Sequence, residues 1–183
     1  MLNLILLSIV LSSLPLRGQD NYSQYVNPFI GTKNMGHTFP GATVPFGMVQ
    51  LSPETNQEVM FTEDGSYNSE TYRYCSGYQY DDSTIFGFAH THMSGTGHAD
   101  LGDFLVMPTV GALNLNPGDI SEPGSGFYSH FTHSSERAAP GYYAVNLQDY
   151  EVDVELTSSE RVGFHRYTFP ETENAHVILD MVS

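Results

Sequence analysis

The chain has 183 residues, of which 40% are hydrophobic and 13% aromatic, enough for the core of one ordinary domain and too much for a disordered segment. Six basic against 21 acidic residues give a formal net charge of −15, a surface that repels phosphate backbones and excludes nucleic acid as a partner. The single cysteine, Cys75, forms no intrachain disulfide, so the fold must stand on its core.

From Leu2 to Leu16 the chain is almost wholly apolar. The run suits the hydrophobic centre of a signal peptide and is short for a membrane span. Pro15 breaks a helix and Gly18 is small enough to precede a cleavage site. We therefore expect a signal peptide over residues 1–18, a single domain over 19–183, a secreted or periplasmic location and no membrane span after cleavage.

Residues 19–25 read as a polar lead-in. Prolines 28, 40, 45 and 53 exclude a continuous helix from the next stretch, and Gly47 to Leu51 is predicted to be extended. The polar, acidic segment 54–72 reads as a surface loop. Ile85-Phe86-Gly87-Phe88 and Phe104-Leu105-Val106-Met107 are strand-like apolar runs. Between them Gly95-Thr96-Gly97 predicts a loop with unusual backbone angles.

The clearest period lies in the C-terminal third. In Glu151-Val152-Asp153-Val154-Glu155-Leu156 the apolar residues occupy one face and the acids the other, the pattern of a half-buried strand. Tyr142–Gln148 precedes it across a tight link, and Val162–Phe169 and Ala175–Met181 follow. These four segments read as consecutive antiparallel strands, and the whole chain as an all-β domain, an antiparallel β-sandwich. The sequence stops inside an apolar strand pattern at Ile178-Leu179-Asp180-Met181-Val182-Ser183, which predicts an incomplete domain.

Side chains that carry chemistry concentrate between His90 and Asp103: three of the eight histidines with Asp100 and Asp103. On a strand His90 and His92 would share a face, while Ser94-Gly95-Thr96-Gly97 turns the chain and offers backbone N–H groups. Three readings compete. His90 and His92 with Asp100 or Asp103 could ligate a metal in a metal-dependent hydrolase, although the His-Glu-x-x-His pattern is absent. The segment could line a sugar site, its polar groups bonding hydroxyls while aromatic rings stack on the pyranose. Or its residues could simply tie a loop together. No Gly-x-Ser-x-Gly elbow surrounds Ser94, no Lys-Ser/Thr follows the glycines to make a phosphate loop, and Cys75 reads as a packed thiol.

Several further runs carry a resemblance. Tyr25-Val26-Asn27-Pro28-Phe29-Ile30-Gly31-Thr32 resembles the opening of the mature family 92 glycoside hydrolases, as does Gly36-His37-Thr38-Phe39-Pro40-Gly41-Ala42-Thr43-Val44-Pro45-Phe46-Gly47-Met48-Val49-Gln50-Leu51-Ser52-Pro53. Cys75-Ser76-Gly77-Tyr78-Gln79-Tyr80, the run from Ile85 to Gly97, and Gly102-Asp103 continue the family's order and spacing. The resemblance covers residues 25 to 183. It implies an N-terminal β-sandwich packed on a larger (α/α)6 domain in secreted, inverting, calcium-dependent exo-α-mannosidases that act on mannose-containing N-glycans. The catalytic acid, the base and the calcium ligands are then expected in the helical domain, which this chain lacks. The resemblance names no catalytic residue and no metal ligand here and implies a fragment inactive alone. It places Tyr72, Tyr74, Tyr78, His90, His92, Ser94, Gly95, Thr96, Gly97 and Asp103 on a substrate-binding cleft wall. The family often has Trp near the Cys75 motif; this chain has none, and Tyr72 or Tyr74 takes its place. The alternative is a stand-alone sugar-binding module without chemistry.

Overall fold

The computed structural model describes residues 21–55, 61–95 and 104–181. The expected signal segment lies outside them, as do Thr96, Gly97, Asp100 and Asp103. Among the described residues eleven strands follow in order: β1 (Ala42–Thr43), β2 (Gln50–Glu54), β3 (Thr84–Ile85), β4 (Gly87–Ala89), β5 (Leu105–Val110), β6 (Ser129–His130), β7 (Arg137–Ala139), β8 (Tyr142–Leu147), β9 (Val152–Ser158), β10 (Gly163–Thr168) and β11 (Ala175–Asp180). All pairings between them are antiparallel. They form a sheet ordered β1-β2-β4-β5-β11, a second ordered β10-β9-β8-β7, and a small pair β3-β6. The expected all-β class is what the chain adopts. Among the described residues no helix is long and apolar enough to cross a membrane.

The β8–β9 hairpin follows from its pattern. Tyr143 pairs with Leu156, Val145 with Val154 and Leu147 with Val152, and all six are buried. The residues between them point outward, where Tyr142 and Arg166 both bond Glu155 and Asn146 bonds Asp153. The buried face meets Leu51, Phe88, Met107 and Ile178 of the other sheet, and Tyr78, Ile85, Phe127 and Phe131 close the same core. Gly163 lets the layers approach: a Cβ there would lie 3.0 Å from both the Leu51 side chain and the His90 ring.

Two strand expectations are corrected. β8, β9 and β10 are neighbours, but β11 leaves for the other sheet and pairs along its whole length with β5. The link from β10, which contains Pro170, is too long for a tight hairpin, and no local pattern says which open edge it reaches. The run 85–88 is not one strand. At Phe86 the backbone N–H bonds the Glu54 carbonyl (2.9 Å) and the ring turns into a satellite cluster with Ala89, Leu105 and Tyr128, so β3 pairs with β6 while β4 joins β2 and β5. The predicted loop 54–72 also ends in a 3₁₀ turn, Ser69–Tyr74, capped by Asn68 Oδ1 accepting from Glu70 N at 3.1 Å.

Candidate functional site

The loop 31–39 brings the Cys75 motif and the His90 segment together. Tyr80 N donates to the Thr32 carbonyl (2.8 Å), Ser76 Oγ to the Thr38 carbonyl (3.1 Å) and Gln79 Nε2 to the Asn34 carbonyl (2.9 Å). On the other flank Gly95 N donates to the His37 carbonyl (2.6 Å). The loop bends sharply: Gly31, Asn34 and His37 have φ of 84°, 55° and 49°. A left-handed backbone is uncommon for a histidine, and such strain persists only where surrounding contacts over-determine it. His37 is buried, its ring edge-on to Tyr72 at 4.8 Å between centroids, and its Nε2 has no hydrogen-bond partner among the described residues. Tyr72, Met93, Ser94 and Gly95 are exposed around it.

Gly95 has φ 75°, the unusual angle expected of this loop. His90 and His92, just past β4, have different partners. His92 is buried against Phe39, with Nδ1 2.8 Å from the Gln50 carbonyl. That carbonyl can only accept, so Nδ1 carries a proton. Its Nε2 lies 2.8 Å from Glu54 Oε1 but out of line for a hydrogen bond, so the contact is electrostatic. The Glu54 carboxylate is pressed under Gly77, whose φ is 77° and where any Cβ would collide with it. His90 stacks on Phe104 at 4.7 Å, and its Nε2 is 3.2 Å from His165 Nε2 on β10. Tyr167 Oη lies 2.7 Å from the other nitrogen of His165. Burial, then the neighbouring ring, hold both histidines below the ordinary range: His165 at about 4, and His90 lowered by burial first and His92 second.

Of the three tyrosines, Tyr72 is exposed and Tyr74 is half-buried, its hydroxyl 3.4 Å from Asp82 Oδ1. Burial raises the Asp82 carboxyl above its ordinary range, against the opposing pull of Thr55, Tyr74 and Arg73. Tyr78 is corrected to the core. It is fully buried, its hydroxyl is 3.0 Å from both oxygens of the buried Glu136, and it offers no surface to a sugar. Residues 75–79 are all buried, and Tyr78 goes inward with them, whereas Tyr72 and Tyr74 lie on the preceding 3₁₀ turn with Tyr72 exposed and Tyr74 half-buried. Thr96, Gly97 and Asp103 lie outside the described residues.

Sequence reasoning missed His37, Glu54, Asp82 and His165 because each acts through partners distant in the chain. The Gly36-His37 run quoted for the resemblance was the one available signal. Calcium takes six to eight oxygen ligands. Among the described residues no group of three or more His, Cys, Asp and Glu side chains could hold a metal ion, so the described residues do not fit one; Asp100 and Asp103 lie outside them.

A sequence model of the glycosyl hydrolase family 92 N-terminal domain matches residues 25–183. The chain belongs to glycosyl hydrolase family 92. A family 92 α-mannosidase of Bacteroides thetaiotaomicron, solved with mannoimidazole, is 45% identical to this family 92 domain and superposes with a TM-score of 0.78 over 87% of the chain and 19% of the enzyme. A family 92 inverting mannosidase of Bacteroides thetaiotaomicron VPI-5482 is 26% identical, with a TM-score of 0.68 over 88% of the chain and 20% of that protein. An uncharacterized secreted glycosidase of Arthroderma benhamiae is 29% identical over 170 residues, 92% of this chain and 20% of the relative. The chain thus spans about one fifth of the length of these relatives.

Proposed function

We propose that this family 92 domain forms one wall of the sugar-binding cleft in a secreted, inverting α-mannosidase acting on mannose-containing N-glycans, and that it is inactive alone. The observation that carries the reading is the 45% identity, over 87% of the chain, to an α-mannosidase solved with mannoimidazole. The geometry agrees with it. Exposed Tyr72 and half-buried Tyr74 offer ring faces, while exposed Ser94 offers a hydroxyl. Thr96, Gly97 and Asp103, which lie outside the described residues, belong to the same proposed wall, and His90 and His92 hold its described part from behind.

Inversion needs one carboxylic acid to protonate the leaving oxygen and a second carboxylate, across the bond, to activate water. The notable carboxylates here are engaged otherwise: Glu54 with His92, Glu136 with two tyrosines, Glu155 with Arg166. We assign the acid, the base and any calcium dependence to a helical catalytic domain outside this chain. Such a domain has an apolar face to meet. On β11 Val177 and Leu179 are 55% and 58% exposed, and Leu179 pairs with the half-buried Val106. An apolar stripe on an outer sheet face suits packing against a partner domain within one polypeptide. Secretion rests on the signal-like segment 1–18.

The test uses the full 183-residue chain with an aryl α-mannoside and with α-linked mannobiose. We expect no release of mannose and weak, saturable binding of mannobiose by calorimetry, lost in Tyr72→Ala. Hydrolysis by the purified chain would overturn the inactive-alone reading. Binding that survives Tyr72→Ala, Tyr74→Ala and Ser94→Ala would overturn the wall.

A further inference from the structure

We propose that His165 is a positioning residue for the cleft wall, and that its ring pair with His90 is a latch between the two sheets which protonation of both rings opens. The inference rests on the reading of residues 90–95 as part of that wall. It concerns how the loop is held.

His90 stands at the exit of β4 and begins the run to Gly95, whereas His165 stands in the middle of β10 on the opposite sheet. Their Nε2 atoms meet at 3.2 Å, and the rings stack at 4.9 Å between centroids with 27° between planes. Gly163, two residues before His165, leaves the space that His90 fills. The loop is tied down further by the Gln50 N–H to the His90 carbonyl (2.9 Å), by the His92 ring and N–H to Gln50, and by Gly95 N to His37, while the ring pair joins it to the second sheet.

Two imidazoles can share an N···N hydrogen bond only if one nitrogen carries a proton and the other does not. Among the described residues His90 Nδ1 is buried without a partner, and a buried orphan acceptor is tolerated better than a buried orphan N–H. His90 therefore carries its proton on Nε2 and donates it to His165 Nε2. His165 then carries its proton on Nδ1 and donates to Tyr167 Oη. In this arrangement each ring holds one proton. One added proton leaves a charged N–H···N bond between the rings but buries a cation beside Phe104, whereas protons on both rings set two N–H groups against each other at 3.2 Å and break the pair. The other groups facing it are His92, which lies toward His90 and adds repulsion, and the Tyr167 hydroxyl, which stays protonated through this range because burial raises it. The Glu54 carboxylate lies on this side, and its contact is with His92; among the described residues no carboxylate is hydrogen-bonded to either ring of the pair. The lowered affinity of both rings for protons is the same fact seen from the folded side.

The experiment is histidine-ring and backbone amide NMR on the full chain, isotope-labelled, from pH 8 to pH 4. At pH 8 we expect His90 with its proton on Nε2 and His165 with its proton on Nδ1. Both rings should resist protonation well below the ordinary histidine range, and the amides of Thr91, Met93, Ser94 and Gly95 should shift with the pair's midpoint. In His165→Gln, whose side-chain oxygen can accept from His90 without titrating, the step in the loop amides at that midpoint should disappear while the shifts at pH 8 stay native. Tyr167→Phe, which removes only the acceptor beyond His165, should move the midpoint and leave the step. Independent titration of the two rings near the ordinary histidine value would overturn the latch, as would loop amides that ignore the pair's midpoint. These readouts need no sugar. A latch that behaves as expected in a chain that binds no mannobiose would sink the wall reading alone.

Discussion

Glu136 has a side chain only 1% exposed, yet it accepts from Tyr143 Oη at 2.6 Å, from Tyr78 Oη at 3.0 Å, and lies 2.5 Å from His133 Nδ1. A carboxylate in that setting is stable only because its partners are complete. Burial and then the Glu136 charge push both tyrosine hydroxyls far above their ordinary range, so they remain donors at any physiological pH. Glu136→Ala would leave both hydroxyls buried without an acceptor. We expect a loss of about 3–5 kcal/mol in urea unfolding, against about 1–3 kcal/mol for Glu136→Gln, which keeps one acceptor. Equal losses for the two variants would show that volume, not the network, is what matters. At this scale the sequence was only partly legible. Gly95 in a left-handed loop and the dense His90 segment could be read locally. The inward turn of Tyr78 could not, because it depends on Glu136, 58 residues away.

Turns and strands show a similar division. The β8–β9 hairpin was legible because its period of two is a property of adjacent residues and the two faces differ sharply in polarity. The turn before β2 was not. Gly47 N bonds the Val44 carbonyl at 3.0 Å and places Phe46 at φ 61°, fully exposed. Pro45 supplies the first corner of such a turn, and the second corner ordinarily takes glycine. We expect Phe46→Gly to leave stability unchanged or raise it by up to about 1 kcal/mol in the same unfolding assay, since left-handed strain is relieved and no packing is lost. A clear loss would show that the ring has a partner in the folded chain.

For the molecule as a whole, the His90–His165 pair links stability to pH. Both rings bind protons more weakly when folded than when unfolded, so the pair's contribution is complete above the unfolded value of about 6.5. It is lost as pH falls from there toward about 4, where His165 titrates in the fold. Urea midpoints measured between pH 7.5 and 4.5 should therefore fall with acid, and His165→Gln should flatten that slope. An unchanged slope in the variant would assign the acid sensitivity to other groups. The open apolar strand makes a second global prediction. Val177 and Leu179 lie exposed on β11, whose outer edge has no partner strand among the described residues. Val177→Lys with Leu179→Lys should lower self-association in sedimentation velocity and leave the β-sheet circular dichroism intact.

The amino-acid sequence by itself determined the all-β class, the strands with strong alternation and the family, because each of these depends on composition, on neighbours in the chain or on motifs in fixed order. The tertiary structure alone decided which sheet β11 joins, that Tyr78 belongs to the core, and that His90 meets a histidine from the opposite sheet. Those outcomes turn on contacts between residues far apart in the chain, and the free energy that selects among them comes from burial and hydrogen-bond completion that exist only once both layers are in place.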